Sequence, residues 1–271
     1  MNPVRPRTAV LGSGEVAWDA AVVPADDAAL RGEGCFETIL VHGGRPAHVV
    51  RLEEHLDRFE RSAAALDTFF DRAGWTALSA ALVDEVPDGV EAVLRLSLSR
   101  SGSGVATVRP LPASVLAGRD GVHVATLARG TVAVADAPWL LGAVKTSSYA
   151  VNGAALREAA RRGADDALFV DAQGFLLEGP TANLLWHLDG AWHTPVPAGR
   201  GVLPGTTLAA VGPAREVLRR PEELLRADGV WLLSSLRGAA AVLSVDGTPL
   251  PGDADLTRRL QQVALERPPL H

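Results

Sequence analysis

Hydrophobic and polar residues alternate along part of the first half of the chain. In residues 93–100, VLRLSLSR, Leu94, Leu96 and Leu98 alternate with arginine and serine. A period of two residues is typical of a strand with one buried and one exposed face. Residues 35–41, CFETILV, predict a second strand.

Between these strands the apolar spacing becomes helical. In residues 51–66, apolar side chains recur three or four positions apart: Leu52, Leu56, Phe59 and Ala63. This spacing predicts an amphipathic helix, and residues 75–83 repeat it more weakly. We therefore predict one N-terminal α+β domain over residues 1–115.

Residues 110–121 are rich in glycine and proline, and after them the apolar residues show both strand-like and helix-like spacing. We predict that residues 116–130 form a linker and the first strand of a second domain, an α/β domain over residues 131–271. Strands are predicted there near 122–128, 130–135 and 230–235, and helices over 151–162, after Pro204 and from Asp255. Two hairpins are also predicted, one formed by ALFVD and FLLEG and the other by NLLWHL and AWHTP. The predicted fold class is thus α/β (α+β) with two domains.

Composition excludes several classes of protein. With 47% hydrophobic and 21% charged residues, the 271-residue chain can bury a large core. A net charge of −6 with scattered arginines argues against nucleic acid as a partner. The one cysteine, Cys35, excludes an intramolecular disulfide and disfavours a zinc site, so we expect no metal. No segment has the length of a signal peptide core or membrane span, so we expect a cytoplasmic protein that does not bind membranes.

The balance of basic residues singles out one side chain. Of 26 lysine and arginine residues, only Lys145 is a lysine. A guanidinium cannot form an imine, so a lysine that survives among arginines is a candidate for amine chemistry; chance survival at the surface is the alternative. Its setting, LLGAVKTSSYAVN, joins an apolar run to a small polar segment, which favours partial burial.

Other candidate groups follow downstream. Glu178 ends the apolar segment FLLEG, where a simple turn residue is the alternative interpretation. The segment GVLPGTT, residues 201–207, predicts a turn into a helix whose N-terminus suits a phosphate, or one that threonine simply caps. Ser234 and Ser235 close a predicted strand. An amine, a carboxylate and two turns bearing hydroxyls are the groups that a pyridoxal phosphate site needs.

Taken together, these segments resemble the class IV aminotransferases, the fold-type IV pyridoxal-phosphate enzymes related to D-amino acid aminotransferase. The resemblance is carried, in order, by RGEGCFETI (31–39), RLEEHLDRF (51–59), KTSSY (145–149), GADDALFVDAQGFLLEGPTANLLW (163–186), GVLPGTT (201–207) and SSLRG (234–238). It implies pyridoxal 5'-phosphate as the cofactor, a small-molecule amine as the substrate and a homodimer.

The resemblance also implies a role for individual residues. Lys145 would be the Schiff-base lysine and Glu178 the partner of the pyridine nitrogen. Leu203 would pack against the ring, and Tyr149 would lie near its phenolic oxygen. The residues implied in phosphate binding are Arg51, Thr206, Thr207 and Ser235.

Within the family, the motif GEGCFET resembles that of the 4-amino-4-deoxychorismate lyases, in which a threonine at the position of Thr38 positions substrate or relays a proton. D-Amino acid aminotransferases and some lyases carry two arginines after the second strand. Arg100 matches the first, but Val105 stands at the second. The substrate-carboxylate site is therefore open, with Arg95, Arg100 and Arg237 as candidates.

The sequence thus predicts an aminodeoxychorismate lyase that forms 4-aminobenzoate and pyruvate for folate synthesis. A class IV transaminase acting on branched-chain or other amino acids is the alternative in the same family. A domain that keeps the fold and binds a small molecule or a protein without catalysis is the alternative of a different class.

Overall fold

The protein is described by a computed structural model that covers residues 7–11, 14–16, 27–130 and 137–266. Its contacts group the chain into two compact units, Met1–Pro112 with Val144–Tyr149, and Ala113–Ala143 with Ala150–His271. Each unit contains a sheet and helices, which confirms the predicted α/β class. The segment around Lys145 belongs by its contacts to the first unit, although it lies far beyond residue 115 along the chain.

The first unit is built on an antiparallel sheet. Within the described residues its strands are β1 (Arg7–Val10), β2 (Gly14–Val16), β3 (Gly34–His42), β4 (His48–Val49), β5 (Glu91–Ser99) and β6 (Gly104–Pro110), in the order β2-β1-β6-β5-β3-β4. The helices are α1 (Asp27–Leu30), α2 (Leu52–Ala64) and α3 (Arg72–Val83). The two strands and two helices predicted for this half are confirmed.

The two faces of this sheet differ because side chains alternate along each strand. On one face Ile39, Leu94 and Ala106 are completely buried, and α2 packs against β3 while α3 packs against β6 and β1. On the other face the strands present Thr38, Arg95 and other polar residues that are half-buried or exposed. The alternation in VLRLSLSR therefore separates an apolar core face from a face that carries polar side chains.

A charged cluster is buried between β3 and α2. Arg58 on α2 donates two hydrogen bonds of 2.7 Å to the two carboxylate oxygens of Glu37 on β3, and His55 Nδ1 lies 2.7 Å from Glu37 Oε2. Burial by itself raises the pKa of Glu37, but the charge of Arg58 and the hydrogen bonds from Arg58 and His55 outweigh it and lower that pKa to about 2. Burial lowers the pKa of His55, so its imidazole is neutral at neutral pH.

The second unit has a mixed sheet. Its strands among the described residues are β7 (Val122–Ala128), β8 (Asp166–Val170), β9 (Asn183–Leu188), β10 (Ala191–Pro195), β11 (Arg215–Val217), β12 (Gly229–Ser234), β13 (Gly238–Val245) and β14 (Thr248–Pro249), in the order β11-β10-β9-β12-β13-β7-β8 with β14 beside β13. Its helices are α4 (Ala113–Ala117), α5 (Ala150–Arg161), α6 (Thr206–Ala210) and α7 (Ala254–Leu265), with short 3₁₀ turns at Pro138–Leu140 and Pro221–Arg226.

Both faces of this second sheet are buried at its centre. Along β12, Leu232 enters one apolar cluster, while Trp231 and Leu233 enter another that includes Leu260 and Ala264 of α7. A strand buried on both faces needs a continuous apolar run rather than an alternating one. The segment VWLLS has that composition, and the predicted strand there is confirmed.

The other predicted elements of this half have different outcomes. The hairpin of NLLWHL and AWHTP forms as β9 and β10, and the helices predicted at 151–162, after Pro204 and near Asp255 form as α5, α6 and α7. The predicted pairing of ALFVD with FLLEG is confirmed: the N–H of Phe169 on β8 donates to the carbonyl of Glu178, and the N–H of Leu177 donates to the carbonyl of Phe169, both at 2.9 Å. FLLEG is nevertheless not a regular strand, since it forms an isolated bridge, Leu176 with Val170, before the chain bends near Gly179 and Pro180. The strand predicted at 130–135 lies almost wholly outside the described residues.

No described helix has the length and apolar character to cross a membrane.

We expect the buried ion pair to stabilise the protein far more than an exposed one does. Arg58→Gln leaves Glu37 charged and buried without its main partner, so it should lower the free energy of unfolding by about 3–5 kcal/mol. Arg72→Gln is the matched control, because Arg72 pairs with Glu53 and Asp57 at the surface, where the loss should be below about 1 kcal/mol. Urea denaturation of the two variants checks this, and equal losses would contradict it.

Candidate active site

The residues singled out in the sequence fall into both units. Thr38, Arg51, Lys145 and Tyr149 belong to the first unit. The second unit contains the others: Glu178, Leu203, Thr206, Thr207 and Ser235. The two groups are described in turn.

In the first unit, backbone hydrogen bonds fix the segment around Lys145 against β3. The N–H of Phe36 donates to the carbonyl of Lys145 at 3.0 Å, and the N–H of Ser147 donates to the carbonyl of Gly34 at 2.8 Å. The N–H of Lys145 lies 3.4 Å from the hydroxyl of Ser62 on α2. The main chain of Lys145 is therefore fixed. The direction of its half-buried side chain depends on the neighbouring side chains.

The ring of Phe36 organises the side chains around Lys145. The Lys145 ammonium nitrogen lies 4.7 Å from the centre of the ring, and the guanidinium carbon of Arg95 lies 4.0 Å from it. The ring of Tyr149 contacts Phe36 edge to face, with 5.3 Å between the ring centres. Two cations beside one aromatic ring form a site that attracts anions and tolerates a planar ligand.

Thr38 lies on the same face of β3 as Phe36, because residues two apart along a strand share a face. It is paired directly with Arg95 on β5, so their Cβ atoms are neighbours across the strands. In the adjacent row, Ser97 pairs with both Phe36 and Val105. The position that holds an arginine in some relatives is thus occupied here by valine on this same face.

The three candidate arginines for a substrate carboxylate differ in their surroundings. Partial burial lowers the pKa of Arg95. The charge of Tyr149 opposes this effect, and the charge of Arg109 lowers the pKa further. Arg100 is exposed and lies 3.8 Å from Glu33. Arg237 forms a 2.6 Å ion pair with buried Asp166 in the second unit. Of the three, Arg95 contacts the same ring, Phe36, as Lys145 does.

Arg51 occupies the position before α2 in a left-handed conformation, with a φ of 51°. Residues other than glycine adopt this region infrequently, and such outliers cluster at functional sites. Its side chain is buried, with 8% of its surface exposed. A buried guanidinium at a fixed helix start has the chemistry of a phosphate ligand.

In the second unit, Glu178 is held by both its backbone and its carboxylate. Its carbonyl accepts a 2.9 Å hydrogen bond from the N–H of Phe169 on β8. Its Oε2 atom accepts hydrogen bonds from the backbone N–H of Leu203 and from the side-chain amide of Asn183, both at 3.1 Å. The carboxylate therefore has a fixed orientation, and it connects the turn after β8 to the predicted phosphate segment.

Asn183 is a site residue that our interpretation of the sequence missed. It lies five residues after Glu178 and begins β9, within the segment that carries the family resemblance. An amide at the start of a predicted strand is ordinarily taken as a turn residue. A polar residue entering an otherwise apolar run, NLLWHL, was the signal available.

The remaining predicted residues mark the starts of two elements. Thr206 and Thr207 are the first two residues of α6, which confirms the helix start predicted for GVLPGTT, and both are buried. Ser235 is half-buried and follows directly after β12, against which α6 packs. No side chain caps α6, so its first backbone N–H groups suit an anion.

The described residues fit pyridoxal phosphate in their chemistry. They supply an amine, an oriented carboxylate, a buried guanidinium, and hydroxyls with backbone N–H groups at a helix start. Among the described residues, no group of three or more His, Cys, Asp or Glu side chains is arranged to hold a metal ion. The thiol of Cys35 is buried, and burial together with the charge of Glu37 raises its pKa to about 12.

Comparison with known proteins agrees with this chemistry. Residues 34–245 match the model of the family described as amino-transferase class IV. A bifunctional aminodeoxychorismate lyase / D-amino acid transaminase from Mycobacterium tuberculosis is 41% identical over 261 residues, which cover 84% of this chain and 87% of the relative.

Two solved structures have the same fold. A hypothetical aminotransferase from M. tuberculosis in its PLP-bound form has a TM-score of 0.89 at 34% identity, covering 97% of this chain and 100% of that one. A fold IV transaminase from Curtobacterium pusillum has a TM-score of 0.86 at 36% identity, covering 97% and 98%. Class IV aminotransferases are pyridoxal-phosphate enzymes, so the predicted cofactor is confirmed. The match over most of its length identifies this chain as a member of the class IV aminotransferase family.

Proposed function

We propose that this protein is a pyridoxal-phosphate-dependent 4-amino-4-deoxychorismate lyase that forms 4-aminobenzoate and pyruvate. The observation that carries the proposal is the pairing of Thr38 with Arg95 on the face of β3 where Lys145 contacts Phe36. A hydroxyl, a guanidinium and an amine on this face suit a substrate that carries carboxylates and must exchange protons. The M. tuberculosis relative, whose name includes this lyase activity, supports the choice.

Pyridoxal phosphate, when bound, supplies an electron sink for the charge that develops as the carbon bearing the substrate amine loses its proton. We assign the proton transfer to Lys145, whose Nζ, as a free amine, accepts that proton. The bond between the ring and the enolpyruvyl oxygen then breaks, and its electron pair leaves on oxygen as the ring becomes aromatic. Protonation of the methylene carbon of the leaving group yields pyruvate.

Thr38 and Arg95 are assigned to the substrate. The Thr38 hydroxyl can donate and accept a proton, so it is suited to relay one to the departing group. The Arg95 guanidinium can bind a carboxylate through two parallel hydrogen bonds. The aromatic faces of Phe36 and Tyr149 suit the planar product, 4-aminobenzoate.

The cofactor itself would be held by the other predicted residues. Glu178 would keep a pyridine nitrogen protonated, and Leu203 would pack against the ring. Tyr149 would lie near the phenolic oxygen. The residues assigned to the phosphate are Arg51, Thr206, Thr207 and Ser235.

Transamination is the second candidate, and the observation that favours it is the double name of the M. tuberculosis relative. A transaminase also needs a carboxylate site and an amine base, so Arg95 and Lys145 would serve both reactions. Val105 counts against an arginine trap like that of D-amino acid aminotransferases, because it leaves a neutral side chain in the row of Phe36. The homodimer implied by the family resemblance stays a prediction.

The two functions can be separated by their products. Cofactor-loaded protein incubated with freshly prepared aminodeoxychorismate should release 4-aminobenzoate and pyruvate in equal amounts. The parallel assay offers 2-oxoglutarate with branched-chain and D-amino acids and measures glutamate. Glutamate formation without any 4-aminobenzoate would overturn the lyase proposal in favour of the transaminase.

Lys145 should be the residue that binds the cofactor covalently. Reduction of the loaded protein with borohydride should leave a pyridoxyl adduct on the peptide that contains Lys145, measured by mass spectrometry. Because the chain has no other lysine, only the N-terminal amine can compete, and it serves as an internal control. Lys145→Ala should lose both the adduct and the yellow colour; a wild-type protein without an adduct would favour a binding domain that lacks the cofactor.

Removing the Arg95 guanidinium should weaken substrate binding. We expect Arg95→Leu to raise KM for aminodeoxychorismate roughly 10- to 100-fold, the usual effect of losing a hydrogen bond to a charged group. Arg109→Leu is the matched control, since Arg109 lies on the same face but pairs with Val93, one row away from the Thr38–Arg95 pair, and its KM should stay within about threefold. Equal effects of the two substitutions would exclude a specific role for Arg95.

A further inference from the structure

A single side-chain amide joins the two parts of the second unit to which cofactor roles are assigned. The Nδ2 atom of Asn183 donates one hydrogen bond to Glu178 Oε2 at 3.1 Å and another to the carbonyl of Leu203 at 2.8 Å. The N–H of Leu203 returns to the same Oε2 atom at 3.1 Å. These three bonds close a small ring of carboxylate, amide and backbone.

The orientation of this amide is fixed by its partners. Both Glu178 Oε2 and the Leu203 carbonyl are acceptors, so the nitrogen of Asn183 must face them and both of its hydrogens are used. Asn183 has only 5% of its surface exposed, and its backbone pairs with Leu233 of the central strand β12. The amide is therefore attached to the buried centre of the sheet.

The loop that leads to α6 is packed directly against the same amide. A Cβ atom added at Gly205 would lie 1.8 Å from Asn183 Oδ1, far inside any real contact distance. Glycine is thus required at this position, immediately before Thr206. This contact is independent of the hydrogen bonds, and it shows that Asn183 limits where the loop can lie.

We propose that Asn183 is a positioning residue that sets the plane of the Glu178 carboxylate and the location of the 203–207 loop together. This proposal rests on the function proposed above, in which Glu178 and the loop bind the cofactor. It adds that one amide coordinates them, so a change at Asn183 alters the ring end and the phosphate end of the cofactor at once.

The substitution that isolates this role is Asn183→Asp, which keeps the shape but removes both N–H donors. It also places a second carboxylate next to Glu178, and two adjacent carboxylates raise the pKa of one of them. Asn183→Ala removes the donors without adding charge. Asn152→Asp is the matched control, because the side-chain amide of Asn152 donates to the backbone carbonyl of Pro180, two residues after Glu178.

Cofactor binding and its absorbance are the measurements, so lyase activity is not required. We expect Asn183→Asp and Asn183→Ala to raise the dissociation constant of pyridoxal phosphate roughly 10- to 100-fold, as expected for lost hydrogen bonds to a charged group. The pH titration of the bound cofactor's absorbance should shift as well, more for Asp than for Ala. Asn152→Asp should stay within about threefold of wild type in affinity and leave the titration unchanged.

The melting temperature of each cofactor-free variant separates positioning from stability. If the Asn183 variants melt earlier but bind the cofactor and titrate as the Asn152 control does, Asn183 is purely structural and the proposal is wrong. If Asn183→Asp does not fold, Asn183→Ala decides by the same criterion. A wild-type protein that fails to bind pyridoxal phosphate overturns the proposed function instead, which distinguishes the two failures.

Discussion

A carboxylate buried between a strand and a helix fixes the geometry of the first unit. Glu37 is completely buried, and its charge is balanced by Arg58 and by a hydrogen bond with His55. A carboxylate without such partners would not stay ionised in a protein interior. The ion pair therefore fixes α2 against β3, and with it the strand face on which Phe36 and Thr38 must lie. A shift of β3 by one residue would move Glu37 to the opposite face and Thr38 into the core.

The second unit contains a carboxylate that accepts hydrogen bonds from neutral donors. Glu178 is half-buried and is oriented by a backbone N–H and the amide of Asn183. Hydrogen bonds have preferred directions, so these two donors fix the direction of the carboxylate. The two carboxylates thus differ in use: Glu37 is enclosed by its partners and structural, whereas Glu178 is oriented for an external ligand in the proposed function.

Much of this architecture could be predicted because the apolar residues of each segment recur at a single spacing, either that of a strand or that of a helix. The alternation around Leu94 and Leu96 and the helical spacing around Leu56 and Phe59 correspond to β5 and α2. The pairing of FLLEG with β8 was predictable for the same reason, because two apolar runs flank a short turn, and backbone hydrogen bonds join Phe169 to Leu177 and Glu178. The regular strand did not form, since the chain bends near Gly179 and Pro180. The contacts of Asn183 could not be predicted, since a polar residue at the start of an apolar run does not identify partners that lie 5 and 20 residues away.

The sequence by itself determined the candidate chemistry: a lone lysine, a carboxylate after an apolar run and a turn with two threonines, in an order that resembles the class IV aminotransferases. Those features depend on residue type and spacing, which the chain carries without folding. The tertiary structure decided which groups are neighbours. It brought Arg95 and Lys145 to one ring, Phe36, and showed Arg100 and Arg237 with carboxylate partners of their own. It also assigned Asn183 to Glu178, because contacts between residues distant in sequence are created only by packing of strands and loops.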